Sequence, residues 1–490
     1  MKSVAMKYGS PIILALVFGC AVGPDYKRPK TVVEEKNTPF TATAPEATSD
    51  SLDLFSWWTL FQDETLAGLL QEVRTSNLDV KQAVSRVEEF KALYRVARAP
   101  LGPKVEIDGS AQRSRLSTNT PLGAAIQGNG GDIVNNQFQI GPSLSWELDI
   151  FGGLRREKGV AFAEWNANVE NLRAVYIQML ASVSKTYLQL RETQMRLTVA
   201  EKNLQSQKEA YGIANARYQA GIVSELDPSR AKVLLSSSAA QIPLLKIAES
   251  EMIHRLSVLL GKSPNELQAQ LGDKKDLPGL PDHFAMGLPS DLLQRRPDIR
   301  QAEARLQAET ARVGSAKADY FPRFSLTGNF GFQSIDAGNL LESNSIAWSV
   351  GPTIRWPIFQ MGAIRAKVAA QGKRAEGAAV AYEYSILKAL EQVENALVSF
   401  GYQKQYVATM DEAVKNARRA VDVSQDRYKA GLSNFLEVVD AERDLFSVED
   451  KQIQGTSNVR LALVNLYEAL GGGWQTGLAK EKPSASPAVK

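Results

Sequence analysis

The feature that most constrains this chain is an internal repeat. At an offset of 210 positions, Gly141, Pro142, Trp146, Gly152 and Arg155 coincide with Gly351, Pro352, Trp356, Gly362 and Arg365. Upstream the offset becomes 219, and Asp79, Gln82, Ala83 and Pro103 coincide with Asp298, Gln301, Ala302 and Pro322. The first copy therefore carries nine extra residues between Pro103 and Gly141. A length change confined to one place marks a loop, so the chain is expected to fold as two similar halves.

Apolar and polar side chains alternate with period two in four segments. The alternation is clear at residues 324–333, 346–358 and 138–149, and weaker at 104–113. Segments of about ten residues with one apolar face are typical of transmembrane barrel strands, although a half-buried sheet of a soluble sandwich shows the same pattern. Four strands are too few to close a barrel, and lipid does not tolerate open strand edges. A membrane sheet of this kind must therefore close through several chains.

Long heptad repeats follow the strands in each copy. The apolar or aromatic positions of the first copy are Val169, Tyr176, Val183, Leu190, Leu197, Leu204, Tyr211 and Tyr218. Those of the second are Ala379, Ile386, Val393, Phe400, Val407, Val414, Val421 and Tyr428. This period predicts left-handed coiled-coil packing. No proline interrupts residues 152–227 or 358–482, which permits helices of roughly 65 residues and about 100 Å.

Both long helices end at the same motif. It reads Arg217, Tyr218, Gln219, Ala220, Gly221 in the first copy and Arg427, Tyr428, Lys429, Ala430, Gly431 in the second. Glycine after a helix supplies the left-handed turn that ends it. Each copy is therefore expected to form one tight helical hairpin.

These patterns divide the chain into six segments. They are a signal peptide at 1–19, an N-terminal segment at 20–62, repeat 1 at 63–261, a connector at 262–288, repeat 2 at 289–471 and a tail at 472–490. Repeat 1 is expected to hold strands at about 104–113 and 138–149 and helices at about 155–220 and 225–260. Repeat 2 is expected to hold strands at about 324–333 and 346–358 and helices at about 365–430 and 435–470.

Composition excludes several functional classes. Lys and Arg number 57 against 54 Asp and Glu, and these charges are dispersed, which indicates no nucleic-acid partner. The two histidines, His254 and His283, have no ligand spacing, and no glycine-rich phosphate loop follows a strand. We therefore expect no cofactor, no metal site and no enzymatic activity.

The N-terminus carries an export signal that ends at the single cysteine. A basic segment and the apolar run from Ile12 to Phe18 precede Gly19 and Cys20, and the run is too short to span a bilayer. A small residue before a cysteine at this place resembles the bacterial lipoprotein box, which implies cleavage before Cys20 and acylation of its thiol. The other interpretation is an ordinary cleaved signal with an incidental cysteine.

Together these features resemble the outer-membrane factors, the TolC-like family of export ducts, in its lipoprotein branch. The matching residues are Cys20, Gly23, Pro24, Asp25, Tyr26, Pro29, Trp57, Trp58, Phe61, Asp63, Leu66, the string 295–300 with Ala302 and Glu303, and both tip motifs. The resemblance implies a homotrimer with a 12-stranded barrel in the outer membrane and an α-helical periplasmic barrel. It also implies a periplasmic adaptor, an inner-membrane transporter, usually of the resistance-nodulation-division type, and a passive efflux duct.

The start of the last helix is the candidate periplasmic gate. Leu436, Asp440 and Arg443 are spaced four and three positions apart and share one helical face. Threefold symmetry would turn that face into rings of leucine and aspartate that block a pore. The family's tip motif matches at these three residues, and charge pairs around Asp440, Arg443 and Tyr428 are expected to hold the tips closed. The alternative is an exposed Asp440–Arg443 pair of small energetic value.

The candidate adaptor contacts are the tip residues Arg217, Tyr218, Gly221, Arg427 and Gly431, which would otherwise serve only as helix caps. The first copy has Arg230 where the second has Asp440, so a gate should involve chiefly the second hairpin. Two rival functions remain: a duct for type I protein secretion, and a coiled-coil scaffold without a channel.

Overall fold

The computed structural model describes residues 21–31, 47–48, 56–281, 284–285 and 295–475. Cys20, the predicted signal peptide, His283 and most of the predicted tail lie outside the described residues. The chain forms two compact units. Among the described residues, the sheet unit comprises residues 21–29, 88–167 and 303–381, and the helical unit comprises the rest.

The secondary structure repeats in the order that the sequence predicts. The strands are β1 (Ala47–Thr48), β2 (Lys104–Arg115), β3 (Val134–Leu148), β4 (Phe284–Ala285), β5 (Arg323–Ser334) and β6 (Ile346–Arg355). The helices are α1 (Glu64–Ser76), α2 (Leu78–Arg98), α3 (Pro121–Gly128), α4 (Gly153–Gln219), α5 (Leu226–Leu259), α6 (Gln268–Leu271), α7 (Pro297–Ala318), α8 (Ala363–Lys429) and α9 (Phe435–Ala469). In the described part of the chain, none of these helices is both long and apolar enough to cross a bilayer.

One antiparallel sheet, ordered β2-β3-β5-β6, forms the centre of the sheet unit. Lys104 pairs with Ser145 in the first hairpin, Ser145 with Thr327 between the repeats, and Arg323 with Arg355 in the second hairpin. The large side chains of one face are exposed, among them Val105, Ile107, Phe330, Trp348, Val350 and Ile354. The other face is polar, and there the hydroxyl of Ser143 donates to Asp108 at 2.5 Å.

Equivalent tryptophans attach each hairpin to the turn before it. The indole of Trp146 donates to the carbonyl of Leu101 at 3.1 Å, and that of Trp356 donates to the carbonyl of Tyr320 at 3.0 Å. Leu101 and Tyr320 are equivalent at the offset of 219, and Trp146 and Trp356 at the offset of 210. The duplication therefore extends to individual hydrogen bonds. After the first hairpin, Asp149 accepts the backbone N–H groups of Leu154 and Arg155 and so caps α4.

The nine extra residues of the first copy lie in the connection between β2 and β3. There α3 begins after Thr120, whose side chain caps the helix through the N–H of Gly123. The corresponding connection between β5 and β6 holds only two short 3-10 helices, Ala337–Asn339 and Ser343–Ser345. The length difference between the repeats is therefore absorbed in a loop.

The heptad positions of α4 and α8 are buried along most of their length. In α4, Val183, Leu190 and Leu197 are at most 1% exposed, and in α8 Val393 and Phe400 are equally buried. Both helices have 67 residues. The predicted fold, mainly helical with two tandem repeats of two strands and long coiled-coil helices, is confirmed.

The helical unit also holds the segment that precedes α1. A 3-10 helix, Trp57–Phe61, is buried there, and Trp57 stacks on Tyr467 of α9 with ring centroids 5.4 Å apart. Asp63 caps α1 and accepts the hydroxyl of Tyr187 at 2.7 Å. These contacts attach the end of the N-terminal segment and the start of repeat 1 to α4 and α9.

Candidate functional site: the tips of the helical hairpins

The two hairpin turns have the same backbone geometry. Gly221 and Gly431 adopt φ angles of +71° and +75°, a conformation that glycine adopts without steric cost. In each turn the N–H after the glycine donates back to the helix, from Ile222 to Arg217 at 2.9 Å and from Leu432 to Arg427 at 2.8 Å. This pattern is the Schellman motif that ends a helix, so the two glycines act as helix caps.

The two hairpins share one apolar core. It is formed by Ala210, Ala214, Ala231, Leu234, Tyr428, Phe435, Val438 and Val439, which come from both repeats. Tyr428 is 3% exposed, and its ring meets that of Phe435 edge to face at 5.0 Å. Tyr218, the equivalent residue of the first hairpin, is 37% exposed. The two copies of the motif therefore lie in different environments.

Arg217 connects the first hairpin to the second. Its guanidinium lies over the ring of Tyr428, 4.6 Å from the centroid, and donates a short hydrogen bond to the backbone carbonyl of the same residue. Cation–π contacts and hydrogen bonds from a charged donor are among the stronger polar interactions in proteins. Arg217 is thus engaged within the chain, whereas the equivalent Arg427 is exposed.

The hydroxyl of Tyr428 also contacts the first hairpin. It donates to Asp227 of α5 at 3.3 Å. Burial, followed by the charge of the Asp227 carboxylate, raises the pKa of the Tyr428 hydroxyl to about 12. The neutral phenol is therefore favoured at this site.

The predicted gate residues divide between two helices, with Leu436, Asp440 and Arg443 on α9 and Tyr428 near the end of α8. Leu436 is 39% exposed, and Asp440 and Arg443 form an exposed pair at 3.7 Å. This is the geometry of the alternative interpretation, a surface pair. Tyr428 belongs to the buried core, and its hydroxyl contacts Asp227 rather than Asp440. The structure thus groups three of the four predicted gate residues and places the fourth elsewhere.

A buried carboxylate near the tip was not singled out by the sequence. Glu442 is 6% exposed and accepts one hydrogen bond, from the amide of Gln425 at 3.0 Å, while its other oxygen has no partner among the described residues. Burial raises the pKa of the Glu442 carboxyl above its usual value. Its spacing from Val438 and Val439 on the helix is the signal that could have placed it inside.

Among the described residues, no cluster of three or more His, Cys, Asp or Glu side chains is placed to hold a metal ion. The tips instead offer a surface of backbone, tyrosine and arginine around Gly221 and Gly431.

A family model describes a chain of this architecture. The chain belongs to the outer membrane efflux protein family, whose model matches residues 69–262 and 288–472. The solvent efflux pump outer membrane protein SrpC of Pseudomonas putida is 32% identical over 474 residues, which cover 96% of this chain and 99% of SrpC. The outer membrane protein OprJ of Pseudomonas aeruginosa is 31% identical over 470 residues, 96% of each chain.

Solved structures of outer-membrane channels share the fold. The outer-membrane channel OprN superposes with a TM-score of 0.86 at 33% identity, over 93% of this chain and all of OprN. The open state of the MtrE channel of Neisseria gonorrhoeae gives a TM-score of 0.77 at 27% identity, over 93% of this chain and 99% of MtrE. The predicted family is confirmed, and the protein is an outer-membrane component of an efflux pump.

Proposed function

We propose that three copies of this chain assemble into one passive exit duct, anchored to the outer membrane through an acylated Cys20. The observation that carries this proposal is the sheet of only four strands. Its exposed apolar face suits lipid, yet β2 and β6 lie at its two edges, and among the described residues each pairs with a strand on one side only. Unpaired backbone groups are costly in lipid, so both edges must pair with strands of other copies. Three copies, the number that the family resemblance implies, would supply twelve strands and close the sheet into one barrel.

The duct has no catalytic role in this proposal. A periplasmic adaptor and an inner-membrane transporter of the resistance-nodulation-division type would deliver the cargo and supply the energy. The adaptor would contact the tips at Tyr218, Gly221, Arg427 and Gly431. Arg217 would act there indirectly, because its side chain is already bound to Tyr428.

The gate would consist of the exposed face of α9 with Leu436, Asp440 and Arg443. Tyr428 would support it from behind by holding Phe435 and the turn in place. In a trimer, this face would present rings of leucine and of charge, which close a pore by dewetting and by electrostatic repulsion.

The gate is tested by single-channel recording in planar bilayers. Asp440→Ala with Arg443→Ala should increase the conductance of the trimer. A matched control is Lys373→Ala with Glu376→Ala, which removes an exposed pair of the same spacing on α8, far along the sequence from the tip. A conductance no higher than that of the unmodified trimer would remove the gate assignment, and no conductance at all in the unmodified protein would remove the duct.

The cargo proposed is small toxic compounds, supported by relatives named as solvent, toluene and antibiotic efflux proteins. The alternative is an exit duct for type I protein secretion, which could use the same wall. A deletion strain that becomes sensitive to dyes and detergents while its secreted proteins are unchanged supports efflux. The reverse result supports secretion.

A further inference from the structure

The two edges of the sheet carry complementary, exposed charges. Arg355 ends β6 on its polar face, and within the described part of the chain its side chain has no hydrogen bond or ion pair. Asp108 lies on the polar face of β2 and accepts one hydrogen bond, from Ser143. An exposed cation on one edge and a carboxylate on the other would meet if β6 of one copy paired with β2 of another.

The internal repeat predicts how such a pairing would be aligned. In the first hairpin Lys104 pairs with Ser145, and in the second Arg323 pairs with Arg355. The offset of 219 converts Lys104 into Arg323, and the offset of 210 converts Ser145 into Arg355. The two hairpins therefore have the same register, and the offsets describe the backbone pairing as well as the sequence.

The same offsets can be applied to the junction between the repeats. There β3 pairs with β5, and Ser145 lies opposite Thr327. The offset of 210 converts Ser145 of β3 into Arg355 of β6, and the offset of 219 converts Thr327 of β5 back into Asp108 of β2. The equivalent junction therefore places Arg355 opposite Asp108. A ring of alternating repeats would reproduce this junction wherever the second repeat of one copy meets the first repeat of the next.

We propose that β6 of each copy pairs antiparallel with β2 of the partner subunit, in the register that sets Arg355 opposite Asp108 of the partner subunit, and that these two side chains form an ion pair. This seam rests on the trimeric assembly proposed above and specifies its alignment. Opposite charges directly across two strands stabilise their pairing, and a slip of one residue would turn apolar side chains to the wrong face.

The apolar face supports the same register. The proposed register places Trp356 opposite Ile107 of the partner subunit and Ile358 opposite Val105 of the partner subunit, so that apolar side chains meet. Ile358 is 81% exposed, while the equivalent Leu148 of β3, which lies between two strands, is 38% exposed. Strand β3 continues to Leu148, whereas β6 stops at Arg355, three residues short of the equivalent position. Pairing at the seam is expected to extend β6 to Ile358.

The seam is expected to differ from the internal junction where two glycines of the internal junction meet. Gly141 and Gly331 approach so closely that a Cβ on Gly331 would lie 2.4 Å from the carbonyl of Ile140. The equivalent residues at the seam are Gly351 and Gln112 of the partner subunit, and glutamine cannot approach as closely. The two backbones are therefore expected to lie farther apart there than at the internal junction.

The ion pair is tested by charge exchange in the full-length protein. Arg355→Asp alone and Asp108→Arg alone should each lower the temperature at which the trimer dissociates in detergent, and the two together should restore it. Glu106 provides the control, because it lies on the same face of β2 two residues away. Restoration by Glu106→Arg and not by Asp108→Arg would overturn the register.

Cysteine cross-linking tests the alignment independently. The proposed register sets Ser349 opposite Ser114 of the partner subunit, so Ser349→Cys with Ser114→Cys should give covalent trimers on oxidation. Ser349→Cys with Gln112→Cys has the same facing but is displaced by two residues, and should not react, since diagonal neighbours lie about 7 to 8 Å apart and exceed disulfide reach. Each single variant reports any linkage through Cys20.

The outcomes separate the two proposals. Efficient cross-linking through residue 112 in place of residue 114 would overturn the register while leaving the trimeric duct intact. An unmodified protein that is monomeric in detergent would overturn the proposed function itself.

Discussion

Asn77 and Arg296 occupy equivalent positions in the two repeats, and each donates a hydrogen bond to a carbonyl at the end of its own return helix. The amide of Asn77 donates to Leu259 at 2.7 Å, and the guanidinium of Arg296 donates to Ala469. Asn77 also caps α2 through the N–H of Val80. These contacts connect the end of one helix to the start of another, α5 to α2 and α9 to α7.

The first prediction concerns this connection. Arg296→Ala should lower the free energy of unfolding by about 1 to 3 kcal/mol, because the carbonyl oxygen of buried Ala469 and the side-chain oxygen of Gln392 both lose their charged donor. Asn77→Ala should cost about 1 kcal/mol or more, since a helix cap and a hydrogen bond are lost together. Urea unfolding of the detergent-solubilised protein measures both changes.

The control for these substitutions is Lys415→Ala, at an exposed position of α8. It should leave the unfolding midpoint unchanged. If Arg296→Ala unfolded at the same urea concentration as the control, the connection between α9 and α7 would have no stabilising role.

The second prediction concerns Glu442. Because burial raises the pKa of this carboxyl, its folded state binds a proton more tightly than its unfolded state. The contribution of this group to stability is therefore present below the unfolded pKa and is lost as the pH rises through the folded pKa. Glu442→Gln should remove this pH dependence and stabilise the protein at pH 8 relative to the unmodified chain. Unfolding curves at pH 5 and pH 8 measure the difference.

Glu437→Gln, on the same helix but exposed, is the matched control and should not change the pH dependence. A Glu442→Gln protein that was less stable than the unmodified chain at pH 8 would contradict the inference that the charged form is disfavoured.

The third prediction concerns Arg217. Arg217→Ala removes the cation–π contact and the hydrogen bond to Tyr428, so backbone amides of residues 425–440 should exchange hydrogen faster. Arg427→Ala, at the equivalent and exposed position, should change exchange much less. Hydrogen exchange read by mass spectrometry measures both variants. Equal effects of the two substitutions would show that the bridge between the hairpins contributes little.

The fourth prediction concerns the hydroxyl of Tyr428. Since its pKa is raised from 10.0 to about 12, its contribution to stability is complete below pH 10 and is lost as the pH rises through about 12. Tyr428→Phe should delete one tyrosinate signal at the alkaline end of an ultraviolet titration. Loss of a signal near pH 10 instead would place this hydroxyl in water.

Much of the fold could be predicted because it depends on periodicity. Residues with period seven, such as Val183 and Val393, are buried as a coiled coil requires, and Gly221 and Gly431 mark the ends of both long helices. Strand ends were harder to predict. Strand β3 begins at Val134, four residues before the predicted start, because Asn135, Asn136 and Gln137 hide the alternation.

The environments of the tip residues could not be predicted from the motif. Tyr218 and Tyr428 have the same local sequence context, yet only Tyr428 is buried, because its partners Arg217 and Asp227 come from the other repeat. Long-range contacts of this kind leave no trace in local spacing. The short helix α3 did leave one, since Thr120 and Pro121 form a helix-start signal in the loop that only the first repeat carries.

The contact between Arg217 and Tyr428 also limits how the tips can move. Since the cation belongs to one hairpin and its aromatic partner to the other, separating the hairpins would break the stacked pair and the hydrogen bond in a single step. Any displacement of one hairpin from its neighbour must therefore supply at least the free energy of these two contacts.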